Sequence, residues 1–174
     1  MKKVLNGIAA GVLALASTAG FAAAGDPNDA QIAQIVVTAN NVDINGGKLA
    51  KSKASSQEVK AFAQRMITDH TGVNKQATAL VTKLHVKPEE SATSKSLKDD
   101  GASMVARLKG LKGAAFDKAY IDNEVTYHQA VLDTIDKTLL PNASNAELKD
   151  LLVKTRPAID AHLQHAKSIQ AKLK

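Results

Sequence analysis

The sequence predicts an all-α protein, on three observations. Four long segments carry apolar residues at spacings of three and four, so each presents one continuous apolar face as a helix. Capping signals stand in front of three of these segments. No stretch alternates apolar and polar residues as a half-buried strand does, and no tandem repeat is present.

The first helix follows Asp26-Pro27-Asn28-Asp29, which offers capping groups and an early proline, and runs to about Lys53 through Ile32, Ile35, Val36, Ala39, Val42 and Leu49. Within it, Gly46-Gly47 costs about 1 kcal/mol of helix stability per residue, so the pair either admits a close neighbour or marks a kink. Ser55 with Glu58 has the pattern of a capping box and opens the second helix, which ends before Pro88. Its apolar stripe contains Ala63, Met66, Ile67, His70, Val73, Ala77 and Leu80. The third helix starts after Gly113 and aligns Ile121, Val125, His128, Leu132, Ile135 and Leu139. A second box, Ser144 with Glu147, opens the last helix, where Leu148, Leu152, Thr155, Ile159, His162, Ala166 and Ile169 share a face. Pro157 should bend that helix and free the carbonyl of Val153.

The stretch from Val86 to Gly113 is too long for a simple turn between antiparallel neighbours. Leu97, Met104, Val105, Leu108 and Leu111 give it the pattern of a short amphipathic helix, placed across the end of the other helices. A long, partly helical crossover between helices two and three is the ferritin-like form of a four-helix bundle.

Residues 1–24 read as a signal peptide. Lys2 and Lys3 give a positive start, Ile8 to Ala16 an apolar core too short for a comfortable membrane span, and Ala22-Ala23-Ala24 a cleavage site before Gly25. The protein is then expected to be exported and periplasmic, with one domain over 25–174. Absence of cysteine excludes disulfides, thiolate metal sites and cysteine nucleophiles. Removing Lys2 and Lys3 from 23 basic residues against 17 acidic ones lowers the formal charge from +6 to +4. The lysines are scattered and only 3% of residues are aromatic, so no nucleic-acid partner is expected. There is no His-Glu-x-x-His, Gly-rich phosphate loop or nucleophile elbow, so no motif points to an enzyme.

His70, His128 and His162 remain to be explained, because each falls inside an apolar stripe where a polar ring must find a partner. Two readings are open. Three neutral imidazoles converging from three helices, with Glu124, Asp43 or Asp69 as a fourth ligand or supporting acid, suit one divalent transition metal ion such as zinc, copper or iron. Alternatively each ring bonds a neighbouring acid or tyrosine and only satisfies the core, His70 with Tyr120 or Asp117 for example. His165 is a candidate surface ligand, His85 a solvated or capping residue, and Asp117 a local capping or pairing group. A carboxylate-bridged di-iron centre needs Glu-x-x-His pairs and none occurs; only Glu124 and His128, four apart, share a face.

Phe62-Ala63-Gln64-Arg65-Met66 with Asp69-His70-Thr71, then Gly113, Phe116-Asp117, Tyr120 and His128, then Pro157, His162-Leu163 and Ala166, resemble the bacterial exported family called domain of unknown function 4142. The resemblance implies a ferritin-like helical bundle of the cell envelope, associated with the outer membrane, and no established biochemical activity. This chain departs from the family pattern in carrying Asp43 where a glutamate is usual and Arg156 where a leucine commonly precedes the proline. Two functions are therefore expected: a metal-binding envelope protein, or a non-catalytic interaction or stress-related structural module with an envelope protein or the membrane surface as partner.

Overall fold

The computed structural model describes residues 25–173, and over these the chain is all-helical, with no strand among the described residues. Residues 1–24, where a signal peptide is expected, lie outside them. The helices are α1 (Asp29–Lys53), α2 (Gln57–Lys83), α3 (Ala92–Lys109), α4 (Gly113–Thr134), a π-helical turn (Ile135–Leu139) continued by the three-residue α5 (Leu140–Asn142), and α6 (Ala146–Gln170). None of the described helices is long and apolar enough to cross a membrane.

The helix starts differ from the sequence expectation by one residue at two places. Ser56, not Ser55, caps α2 by accepting from Val59 N, and Asn145, not Ser144, caps α6 by accepting from Glu147 N and Leu148 N. Both serines are taken by tertiary contacts instead: Ser55 donates its amide and hydroxyl to Asp117, and Ser144 its amide to Asp29. Asp117, expected to act locally, thus ties α4 to the α1–α2 turn, and also receives the Ser56 amide. Asn28 forms a full capping box with Gln31 at the start of α1, and Ser91 with Ser94 does the same for α3.

At the end of α2, His85 is exposed and has φ 55°, in the left-handed region. Its amide donates to Thr82 O at 3.2 Å while that of Val86 donates to Val81 O at 3.0 Å. These are the two bonds of a Schellman cap, with histidine where glycine is usual, so the capping role expected of His85 is what the backbone displays.

Hydrogen bonds at the two ends fix the direction of every helix. Glu89 N donates to Ala30 O, and Ser144 and Asn145 donate to Asp29, so the end of α2 and the start of α6 lie at the start of α1. At the opposite end, Lys53 Nζ donates to Lys109 O, Asp117 holds Ser55 and Ser56, and Lys172 pairs with Glu58. Hence α1, α3 and α6 run one way, α2 and α4 the other. The 86–113 segment does not merely cross the end of the helices. It forms an 18-residue helix that runs alongside α1 and returns the chain to the far end, so that α2 and α4 are parallel.

Close approach along α1 depends on glycines. A Cβ at Gly47 would stand 3.0 Å from Ala63 O on α2, and one at Gly101 of α3 would stand 2.7 Å from Val42 Cγ2 on α1. The Gly46-Gly47 pair therefore serves close packing, and α1 continues through it unbroken. Pro157 likewise sits inside a continuous α6.

Two apolar clusters fill the interior. One, with Phe62, Met66, Leu108, Phe116, Tyr120, Ile121 and Ile169, lies toward the α1–α2 turn. The other, with Ile32, Ile35, Leu132, Ile135, Ile159 and Leu163, lies toward the start of α1. Burying each such large side chain contributes about 1.5–3 kcal/mol. Between the two clusters along every long helix but α3 stand polar residues: Asn40 and Asp43 on α1, His70 on α2, Glu124 and His128 on α4, His162 on α6.

Candidate metal centre

All six of these polar residues are buried, each with 5% exposure or less. His70, His128 and His162 come from three helices and meet in the middle layer, with ring centroids 5.2–5.7 Å apart. One nitrogen from each ring lies within 4.8 Å of the others. The convergence expected from the sequence is therefore the arrangement found.

Each ring is held from outside by one acceptor. His70 Nδ1 lies 2.7 Å from Asn40 Oδ1, His128 Nδ1 lies 3.0 Å from the Glu124 carbonyl, and His162 Nε2 lies 2.8 Å from Asp69 Oδ2. Because these partners accept, the hydrogen of each neutral ring sits on the bonded nitrogen. The other nitrogens, His70 Nε2, His128 Nε2 and His162 Nδ1, are buried and have no hydrogen-bond partner. In their neutral form the three rings thus each turn a lone pair toward a common interior. Metal-ligating histidines are oriented in this way, by an acceptor on the far nitrogen.

Two carboxylates complete the layer. Asp43 Oδ2 is 3.2 Å from His70 Nε2 and 4.0 Å from His128 Nε2, so the shorter acid of α1 does reach the histidines. Glu124 Oε2 is 3.3 Å from His128 Nδ1 and has no hydrogen-bond partner. Asp43, Glu124 and His128 form a second set of three ligand atoms within 4.8 Å of one another. Asp69 is placed differently. It is 38% exposed, bonded to His162 and to Arg65 Nε at 3.2 Å, and supports a ring from outside rather than facing the interior.

Electrostatics separates the three rings. Burial, reinforced by His128 and His162, holds His70 well below the ordinary imidazole value. Burial and the charge of His128 also lower His162, against the pull of Asp69. Burial opposes charge on His128 too, but the charge of Asp43 and the close carboxylate and carbonyl of Glu124 outweigh it and push this ring up to about 9. Burial, together with Glu124, raises the Asp43 carboxyl well above the usual carboxylate value, against the attraction of His128. His128, lying between Asp43 and Glu124, is therefore the ring of the three that most readily carries a proton. Burial beside Glu124 and Asp43 likewise raises the Tyr120 hydroxyl.

Other expectations from the sequence resolve as follows. The partners of His70 are Asn40 and Asp43 of α1, neither Tyr120 nor Asp117; Asp117 is engaged by Ser55 and Ser56 at the α1–α2 turn. His165 does not join the cluster; its ring packs edge-on against Phe62 at 5.3 Å, one turn further along α6. Asn40, buried on α1, also belongs to the layer, and its position in the sequence carries a signal for it. It stands three residues before Asp43 and six before Gly46, on the stretch of α1 where the buried face continues in polar and small residues.

No curated protein and no solved structure matches this chain. The profile of one family, described as Domain of unknown function (DUF4142), matches residues 14–169. The chain belongs to that family.

Proposed function

We propose that this protein is an exported, ferritin-like helical bundle that holds one divalent transition metal ion on His70, His128 and His162, with Asp43 and Glu124 as the neighbouring acids. The observation that carries this reading is the pairing of three buried, partnerless ring nitrogens with three acceptors that fix the opposite nitrogens. A core that only needed to be satisfied would bond both ends of each ring. Imidazole and carboxylate donors without sulfur suit zinc, iron or copper(II), and two buried acids favour a dipositive ion. The bundle form is supported by the parallel α2 and α4 joined through the long α3 segment. Export is supported by the n-region, apolar core and small residues of 1–24.

The test is titration of the metal-free protein with zinc, iron(II) and copper(II), with magnesium as control. Binding of one equivalent and a rise in melting temperature are expected for at least one of the three metals, since an ion that binds only the folded chain stabilises it. His70→Ala, His128→Ala and His162→Ala should each abolish the bound equivalent, and His85→Ala should retain it. If no transition metal shifts melting more than magnesium does, the metal reading fails and a non-catalytic interaction module takes its place.

A further inference from the structure

Beside the histidine layer, toward the start of α1, the interior contains a cavity of about 110 Å³. Its wall is built mainly from Ile35, Leu97, Ile135, Leu139, Leu152 and Ile159. The hydroxyls in the wall are already engaged. Thr134 and Thr155 donate to the carbonyls of Ala130 and Leu151, each at 2.8 Å, and Tyr127 donates to Ala39 O at 3.0 Å. Asn40, also in the wall, spends its oxygen on His70.

A π-helical turn and an in-helix proline flank this same space. On one side is the π-helical turn Ile135–Leu139, whose first and last residues both line the cavity. On the other is α6 with Pro157, between the lining residues Thr155 and Ile159. Outside them Arg156 binds Asp136 through two bonds of 2.7 Å, clasping the π-turn to α6. π-turns inside helices are uncommon and recur at functional sites. A proline inside a helix removes one backbone bond, so neither feature is a default of helix packing.

We infer that this cavity is a binding site for one small, uncharged, apolar molecule of about the size of a benzene ring. The size follows from the volume: apolar cavities of roughly 150 Å³ stay dry and accept benzene or xenon, and this one is somewhat smaller. The exclusion of anions follows from the wall, which is mainly aliphatic, has its hydroxyls engaged and carries the Asp100 carboxylate at its exposed edge, so a carboxylate would lose its water with only the Asn40 amide to answer it. The site does not depend on a metal. A molecule in it lies one side chain from the histidines, because Asn40 bonds His70 and Tyr127 stands edge-on to His128 at 6.1 Å.

The experiment is a titration of the metal-free, isotopically methyl-labelled chain with benzene and with xenon, followed by methyl nuclear magnetic resonance, with benzoate as the charged control. Saturable shifts are expected at Ile35, Ile135, Leu152 and Ile159, and none from benzoate at the same concentration. Ala39→Leu from α1 and Ala130→Leu from α4 each place a larger side chain at the wall and should weaken benzene binding at least about tenfold, with helical circular dichroism confirming that each variant is folded. Absence of saturable shifts with both probes overturns the site, as does equal response to benzoate, or unchanged binding in both folded variants. Because no metal is present, failure here leaves the metal reading untouched, and failure of metal binding leaves this site untouched.

Discussion

If the proposed ion binds, proton competition at His128 sets a measurable slope on its affinity. The sequence alone predicts competition near pH 6.5, the ordinary imidazole value. The structure separates the rings, holding His70 and His162 below that value and pushing His128 up to about 9. Above pH 6.5 the first two rings are neutral and offer their lone pairs without cost. His128 must lose a proton first, so between pH 7 and 9 apparent affinity should rise about tenfold per unit, a total of about 100-fold or about 2.7 kcal/mol. The Asp43 carboxyl, also raised, adds proton competition of the same sign. Competition against a chelator of known affinity at pH 6.5, 7.0, 7.5, 8.0 and 8.5 measures it. Calorimetry at pH 7.5 in buffers of different ionisation enthalpy should register release of about one proton per ion bound. Affinity that is flat from pH 7 to 8.5 would refute the assignment of His128 as the protonated ligand.

The same ring makes the metal-free protein pH-sensitive in the opposite sense. A group raised from 6.5 to about 9 on folding contributes about 3 kcal/mol below pH 6.5 and loses it as pH climbs through 9, so the metal-free melting temperature should fall between pH 7 and 9. Gly101→Ala should destabilise by about 1–2 kcal/mol in denaturant melts, because overpacking against Val42 exceeds the gain of about 1 kcal/mol in helix propensity; equal or higher stability would contradict the close α1–α3 approach. His85→Gly should stabilise by about 1 kcal/mol, a rise of about 2–4 °C in melting temperature, by removing the left-handed penalty of a side chain at φ 55°. Mass spectrometry of the secreted form should find an N-terminus near Gly25, and a retained Met1 would contradict export by cleavage.

Helices and buried faces were legible because they depend on local periodicity: the stripes containing His70, His128 and His162 are the buried faces of α2, α4 and α6. The common level of the three histidines followed only from helix lengths, and their separate electrostatic states did not follow at all. Those states depend on which acid faces which ring, and that is fixed by the rotation of α1 and α4 about their axes. The capping boxes failed by one residue for a related reason. Ser55 and Ser144 have the right local pattern, but each is drawn into a bond with an acid 62 or 115 residues away, and the next residue takes the cap. The π-turn left no trace in the sequence, since Ile135 and Leu139 also fit an ordinary α-helical stripe.

The polar layer also bears on why such a site persists. Asn40, Asp43, His70, Glu124, His128 and His162 divide a core that is apolar above and below, and leave four of their ring or carboxylate atoms buried without a partner. Each such atom costs about 1–3 kcal/mol relative to a satisfied one, and well-packed apolar replacements of buried ionic groups are often neutral or stabilising. Against a typical net stability of about 5–15 kcal/mol this is a large sum for side chains that do nothing further. The three outer acceptors sharpen the point. They fix each ring rather than relieve the free nitrogens, so what they add is orientation toward the shared interior, and orientation stabilises only when something binds there. On the proposed reading, a dipositive ion would meet the ring nitrogens and the two acids together, and so would turn a costly layer of the core into a crosslink between α1, α2, α4 and α6.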